Sequence, residues 1–423
     1  MGLASRRAFL EGGLRAGLGL PALRLPGRPG PQASRSPRFL AGRFPDLRRH
    51  FVFEYYPWYA ERPYRHWDQW HRDPPTDIAS SYLPRLGAYH SRSRTVLEAH
   101  ARWIAEAGVG AINISWWGQD SFEDRATHQV MDVMRDHDIQ VAFHLEPYAP
   151  HRAERLAADA LYLLQEFGER RGWDAFLLLR DADGRQGPFF KCFRSILPPL
   201  RVDCHGVRRG VPDYTPDDVW LRQTDLLRRT LDSQFDRLRL LADSLDFGRT
   251  RAAGFDGIAI YDAFVPPEDY PAHALGASSA GLLFSFNVNP GFDGVEPRLV
   301  EAGSCQEPGP FAPPGERVDF SSEAGRERAV AVARTRIERS LETTLRLQTD
   351  PGLTNAKQGF FLVYVNSFNE WHEGTAFEPM KDRAALTPEE RALGYRNPGE
   401  GGYRLATLAR LLRGVQAKTG AHA

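Results

Sequence analysis

Phe360-Phe361-Leu362-Val363-Tyr364-Val365-Asn366-Ser367-Phe368-Asn369-Glu370-Trp371-His372-Glu373 is an apolar run that gives way abruptly to amides, acids and aromatic rings. The run has the aromatic and β-branched make-up of a strand buried on both faces. The same transition recurs upstream. Strands are expected at His50 to Tyr56, Gly110 to Trp116, Gln140 to Leu145, Phe176 to Leu179 or Phe189 to Phe193, Gly257 to Tyr261, and Leu282 to Asn287. Their ends read Glu54-Tyr55-Tyr56-Pro57-Trp58-Tyr59, Ser115-Trp116-Trp117-Gly118, His144-Leu145-Glu146-Pro147-Tyr148, Tyr261-Asp262 and Asn287-Val288-Asn289-Pro290.

Amphipathic stretches separate these runs, at about 96–107, 124–136, 152–168, 217–245, 323–348 and 403–415. Thr95-Val96-Leu97-Glu98 reads as a capping box opening the first of them, whose core face is Val96, Leu97, Trp103, Ile104 and Ala107, and Gly108 closes it. Alternating strands and helices predict a parallel sheet with crossover helices. Polar and aromatic strand ends that all converge on one mouth distinguish a closed barrel from an open sheet. The predicted fold is therefore α/β: a (β/α)8 TIM barrel with elaborated βα loops, one catalytic domain over residues 46–418.

The composition is that of a folded globular chain, with 42% hydrophobic and 26% charged residues among 423. Lys plus Arg and Asp plus Glu both number 54, so no net field favours nucleic acid or an anionic membrane surface. Beyond the leader no segment approaches the roughly 18 apolar residues of a membrane helix, so stable membrane insertion is not expected. A monomer is expected. Ser5-Arg6-Arg7-Ala8-Phe9-Leu10 reads as a twin-arginine export signal within residues 1–25, followed by a Pro/Arg/Gly-rich linker over 26–45, which predicts a periplasmic or extracellular protein. Arg15 interrupts the apolar stretch and no Ala-x-Ala site follows, so a basic disordered tail on a cytoplasmic protein stays open. Cys192, Cys204 and Cys305 make no disulfide framework or zinc pattern; a Cys192–Cys204 bridge and buried free thiols are both compatible with the spacing.

Glu370 and Glu373 lie three residues apart after the last strand, so one turn of chain puts both carboxylates on one side. Glycoside cleavage needs such a pair, one acid protonated to meet the departing oxygen and one ionised. Sugars present apolar ring faces and many hydroxyls, which aromatic platforms and amide, acid or imidazole groups hold. Tyr56, Trp58, Trp117 and Tyr148 suit the first role, and His144, Glu146 and Asn369 the second. Trp371 and His372 offer an apolar wall and a hydrogen-bond partner beside the acid pair. A Glu-x-x-Glu spacing alone is more often an exposed acidic turn; its setting is what favours chemistry. His372 and His144-x-Glu146 also admit a metal reading, which the lack of His-Glu-x-x-His or an Asp-rich loop weakens, and no metal or cofactor is expected. Gly276-Ala277-Ser278-Ser279-Ala280-Gly281 misses the nucleophile-elbow spacing.

At these residues the chain resembles glycoside hydrolase family 99, the endo-α-mannosidases. Ser367-Phe368-Asn369-Glu370-Trp371-His372-Glu373-Gly374-Thr375 is similar to that family's signature throughout. Tyr55-Tyr56-Pro57-Trp58-Tyr59, His66-Trp67-Asp68, the stretch from Pro74 to Tyr89, Ser115-Trp116-Trp117-Gly118, His144-Leu145-Glu146-Pro147-Tyr148, and Gly254-Phe255-Asp256-Gly257 with Tyr261 follow in the family's order. The resemblance implies a retaining barrel enzyme that cleaves internal α-mannosidic bonds, typically α-1,2, in an oligo- or polysaccharide without metal. It implies that Glu373 is the acid and then base at the leaving oxygen. Glu370 would deprotonate the sugar's own 2-hydroxyl, giving a 1,2-anhydro intermediate. Tyr56, Trp117, His144, Glu146, Tyr261 and Asn369 match substrate-facing positions. Phe193-Arg194-Ser195-Ile196 and Asn287-Val288-Asn289-Pro290-Gly291-Phe292 depart from the family, and Arg180 to Thr250 matches poorly. A barrel glycosidase of another α-glycan linkage, a non-catalytic glycan-binding protein and a metal-dependent carbohydrate hydrolase or deacetylase remain rival readings.

Overall fold

The computed structural model describes residue 40 and residues 42–203, 205–261, 265–291 and 318–420. The leader, most of the linker, Cys204, Cys305, Asp262 and Phe292 lie outside the described residues. Nine parallel strands form one sheet: β1 Phe51–Tyr55, β2 Ala111–Trp116, β3 Gln140–Leu145, β4 Phe189–Cys192, β5 Arg239–Ala242, β6 Gly257–Ala259, β7 Leu283–Ser285, β8 Asn287–Val288 and β9 Val363–Val365. Each strand pairs with the next from β1 to β7, and β9 pairs with both β1 and β8. β7 and β8 flank Phe286 as one broken position, which closes the wheel into a (β/α)8 barrel. Phe189–Cys192 is thus the barrel's fourth strand; Leu179–Arg180 instead pairs with Gln186–Gly187 in a small hairpin.

The crossover helices are α1 Arg94–Glu106, α2 Phe122–Asp136, α3 Leu156–Leu163, α4 Asp217–Leu231, α5 Phe247–Ala252, α6 Tyr270–Ser279 and α7 Glu323–Gln348; after β9, α10 Tyr403–Gly420 packs on α7, beyond short α8 Thr354–Gln358 and α9 Pro388–Ala392. Two expectations need correction. The helix expected over 217–245 stops at Leu231, and Arg239–Ala242 is a buried strand whose Arg239 guanidinium meets Asp181 at 2.5 Å. The capping box at Thr95 does not form: Ser93 is the N-cap, without a side-chain cap bond, and Thr95 lies inside the helix. On α1, Leu97, Ile104 and Ala107 are buried as expected, joined by His100 and Ala101, while Val96 and Trp103 are half-buried.

Strand alternation explains how this barrel carries both a core and a site. Phe51, Phe53, Ile112, Ile114, Phe143, Phe190 and Leu240 face outward and belong to the cluster under the helices. Val52, Ala111, Ala142, Phe189, Leu241 and Ala259 face inward and form the apolar floor of the barrel. Two residues further along each of these chains, on the same inward face, stand Glu54, Asn113, His144, Lys191, Asp243 and Tyr261. One step of the pleat replaces the dry floor with a layer of titratable groups and one amide.

Candidate active site

The loop leaving β9 is pinned before it reaches its acids. Phe368 N–H donates to the Glu54 carbonyl at 2.8 Å, and Asn366 Nδ2 donates to the Tyr261 carbonyl at 2.8 Å. Ser367 Oγ accepts from the Glu370 N–H at 2.8 Å. Trp371–Glu373 then forms a single 3-10 turn, which Glu370 precedes and Gly374 ends at φ 64°. Glu370 stands just before this turn, at φ −80° and ψ 82°, and Glu373 is its last residue. Neither faces bulk water, since Glu370 is 1% and Glu373 7% exposed. Tyr261 Oη donates to Glu373 Oε2 at 2.9 Å, and His372 Nδ1 lies 3.7 Å from Glu370 Oε1.

Below them lies a buried polar cluster inside the barrel. Glu54 Oε1 accepts from Lys191 Nζ at 2.6 Å, and Glu54 Oε2 accepts from Asn113 Nδ2 and from His144 Nδ1, each at 3.1 Å. Burial alone would favour the neutral acid, but the Lys191 ammonium and the hydrogen bonds donated by Lys191 and His144 outweigh it and hold the Glu54 carboxyl at about 2. Burial raises the Asp243 carboxyl above its ordinary range against the pull of Lys191. The Lys191 ammonium also sits over the rings of Tyr261 and Tyr364, 5.3 and 4.4 Å from their centroids. The floor of the cleft is therefore tied to the tyrosine that touches Glu373.

Ser115 organises the aromatic side. Its Oγ accepts from Trp58 Nε1 at 3.0 Å and Trp117 Nε1 at 3.1 Å, and it donates to Glu146 Oε1 at 2.7 Å. One hydroxyl thereby fixes two indoles and an acid. Trp58 stacks on His66 at 5.0 Å and meets Tyr56 edge-on at 4.7 Å. His66 and Trp117 also line a rim cavity of about 390 Å³ with Arg65, Phe122, Glu123 and Arg125.

The remaining expected positions are engaged within the protein. Asn369 accepts from the Tyr56 N–H at 2.8 Å and donates to the Tyr56 carbonyl at 3.0 Å and to Tyr89 Oη at 3.2 Å. The Trp371 indole is fully buried and donates to Glu378 Oε2 at 2.9 Å. Tyr148 donates to Asp159 and meets Trp116 edge-on at 5.4 Å, and Gly118 opposite its ring leaves no room for a Cβ. His372 Nε2 lies 2.9 Å from the His66 carbonyl.

Residues 43–195 match the family model described as Glycosyl hydrolase family 99. A Danio rerio protein named glycoprotein endo-alpha-1,2-mannosidase-like protein is 26% identical over 368 residues, 78% of this chain and 72% of its own. The Mus musculus glycoprotein endo-alpha-1,2-mannosidase is 24% identical over 77% of this chain and 66% of its own. Among solved structures, the GH99 endo-alpha-mannosidase from Bacteroides thetaiotaomicron superposes with a TM-score of 0.57 at 19% identity, covering 88% of this chain and 99% of that one. The chain is a glycoside hydrolase related to family 99.

In this family 99 relative, the sequence reading missed Glu54, Lys191, Asn113 and Asp243. Their signal was a charged or amide residue inside a run that otherwise reads as a fully buried strand, such as Lys191 within Phe189-Phe190-Lys191-Cys192. Among the described residues no group of three or more His, Cys, Asp or Glu side chains is arranged to hold a metal ion. Among them, too, no helix is long and apolar enough to cross a membrane.

Proposed function

We propose that the chain is a retaining, endo-acting α-mannosidase that cleaves internal α-1,2-type bonds with Glu373 and Glu370. The relatives' names support the activity class, and the buried Tyr261–Glu373 hydrogen bond beside Glu370 carries the residue assignment. In the first step Glu373 gives its proton to the departing glycosidic oxygen. Glu370 takes the proton of the sugar's 2-hydroxyl, whose oxygen closes on C1 as the C1–O bond to the leaving sugar breaks. In the second step Glu373 accepts a proton from water as that water's oxygen opens the 1,2-anhydro ring at C1, and Glu370 returns its proton to O2. Configuration at C1 is inverted twice and so retained.

No enzyme carboxylate bonds to the sugar in this scheme, unlike the usual retaining route. Trp58, Trp117 and Tyr56 would receive pyranose faces, with Glu146 and His144 meeting hydroxyls. A panel of defined α-mannans and α-glucans, with NMR of the first-formed anomer, tests class, linkage and stereochemistry together. An inverted product would falsify the anhydro-sugar route, and cleavage confined to glucans would move the chain to another linkage.

A further inference from the structure

We propose that Glu54 is a positioning residue that keeps the His144 proton on Nδ1 and so presents Nε2 as acceptor for one hydroxyl of the bound sugar. The idea rests on the glycoside hydrolase reading above and deepens it. Glu54 is fully buried yet receives three donors, Lys191 Nζ at 2.6 Å and Asn113 Nδ2 and His144 Nδ1 at 3.1 Å. A carboxylate so surrounded can only accept, so the ring nitrogen facing it must carry hydrogen. Glu146 Oε1, at 3.9 Å, is the more distant acid from the same nitrogen. A neutral imidazole has one N–H, and spending it on Glu54 leaves a lone pair on Nε2.

That second nitrogen is where the protein leaves a cost unrecovered. Nε2 is buried and meets no hydrogen-bond partner among the described residues. Buried polar atoms are nearly always paired, so an orphan acceptor needs a reason. The ring lies edge-on to Phe193, at 5.6 Å and 90°, and 5.8 Å from Tyr261, whose hydroxyl holds Glu373. Asp243 and Lys191 are the other charged groups facing this part of the barrel, and the Lys191 ammonium is committed to Glu54. A sugar hydroxyl at the Glu373 end supplies the missing donor. Glu54 thus acts through His144, as a carboxylate behind an imidazole does in other enzymes.

The test is 15N NMR of the full chain labelled at histidine, with His144 assigned by loss of its signal in His144→Gln. At pH 7.5 the expected pattern is a protonated Nδ1 and a pyridine-like Nε2, whose resonance moves when α-1,2-mannobiose is added. A proton on Nε2, or on both nitrogens, overturns the inference, as does an Nε2 resonance that saturating mannobiose leaves unmoved. Glu54→Gln/Lys191→Met, which removes both charges together, should lose the Nδ1–H preference and drop kcat/KM at least about a hundredfold. Unchanged tautomer in that variant also overturns it. Cleavage assays on the same wild-type preparation separate the two claims: a cleaving enzyme with the wrong tautomer defeats only this inference, and a correct tautomer without cleavage of any mannoside defeats the mannosidase reading.

Discussion

Tyr261 Oη donates to Glu373 Oε2 across 2.9 Å, joining the chain end after β6 to the acid turn after β9. The two residues are 112 positions apart and both are buried. As Glu373 gives up its proton this bond comes to run to a charged carboxylate, and a hydrogen bond to a charged group contributes about 1.5–3 kcal/mol. Tyr261→Phe keeps the ring over Lys191 and removes that bond. The expected result is a kcat lowered roughly tenfold to a hundredfold, with KM within about twofold, measured on a mannoside substrate. A KM effect alone would assign Tyr261 to substrate binding instead.

Glu370→Gln and Glu373→Gln should each lower kcat by several orders of magnitude, because each carries a proton in the transition state. Thermal midpoints should stay close to wild type, since Gln preserves the shape and acceptor oxygen at both positions. If both variants retain full turnover, the acid pair is not the catalytic one.

Much of this arrangement was legible in the chain because strand ends carry their own signal. The β9 run and the Asn366 to Glu373 stretch read correctly as a strand followed by a turn, since that geometry is local, and both acids of that stretch are buried. Arg239–Ala242 was hidden because Leu231 to Ala242 offers Leu and Arg at spacings that suit a helix, and only the pairing of Arg239 with Asp181 and of Leu240 with Phe190 makes it a strand. The Glu54–Lys191 pair was hidden for a related reason. Each charge looks unfavourable within its own apolar run, and the partner that makes it tolerable lies 137 residues away. Asn369 and Trp371 show the converse: polar and aromatic residues beside the acids hold the loop through Tyr56 and Glu378, a role no spacing distinguishes from sugar contact.

Cys192 offers a check on the outer face of β4. It is a free, buried thiol that burial pushes up to about 12, with Arg152 opposing. Thiolate, the reactive form, is then scarce at neutral pH. In a variant lacking Cys204 and Cys305, iodoacetamide at pH 8 should leave the native protein unmodified and label one thiol in denaturant, read by intact mass. Rapid native labelling would mean that β4 is open to solvent.

His50 sets a pH limit on the fold. Its ring is buried between Phe44 and Phe361, with centroids at 4.4 and 5.9 Å, and Nδ1–H donates to the Phe361 carbonyl at 2.8 Å. Burial pulls the imidazole from its ordinary 6.5 down to about 4, against the smaller opposing pull of that carbonyl and Asp46. The folded group therefore binds its proton less readily than the unfolded one. Between about pH 6.5 and 4 the unfolded chain takes up a proton that the native state refuses, so stability falls as pH falls through this window and levels off below it. The loss amounts to about 3 kcal/mol. His50→Asn keeps an N–H for the Phe361 carbonyl and cannot titrate. Urea midpoints taken from pH 7 to pH 4.5 should decline more steeply in wild type than in His50→Asn, even if the variant starts lower. Parallel curves would show that the ring is charged, or solvated, in the native state.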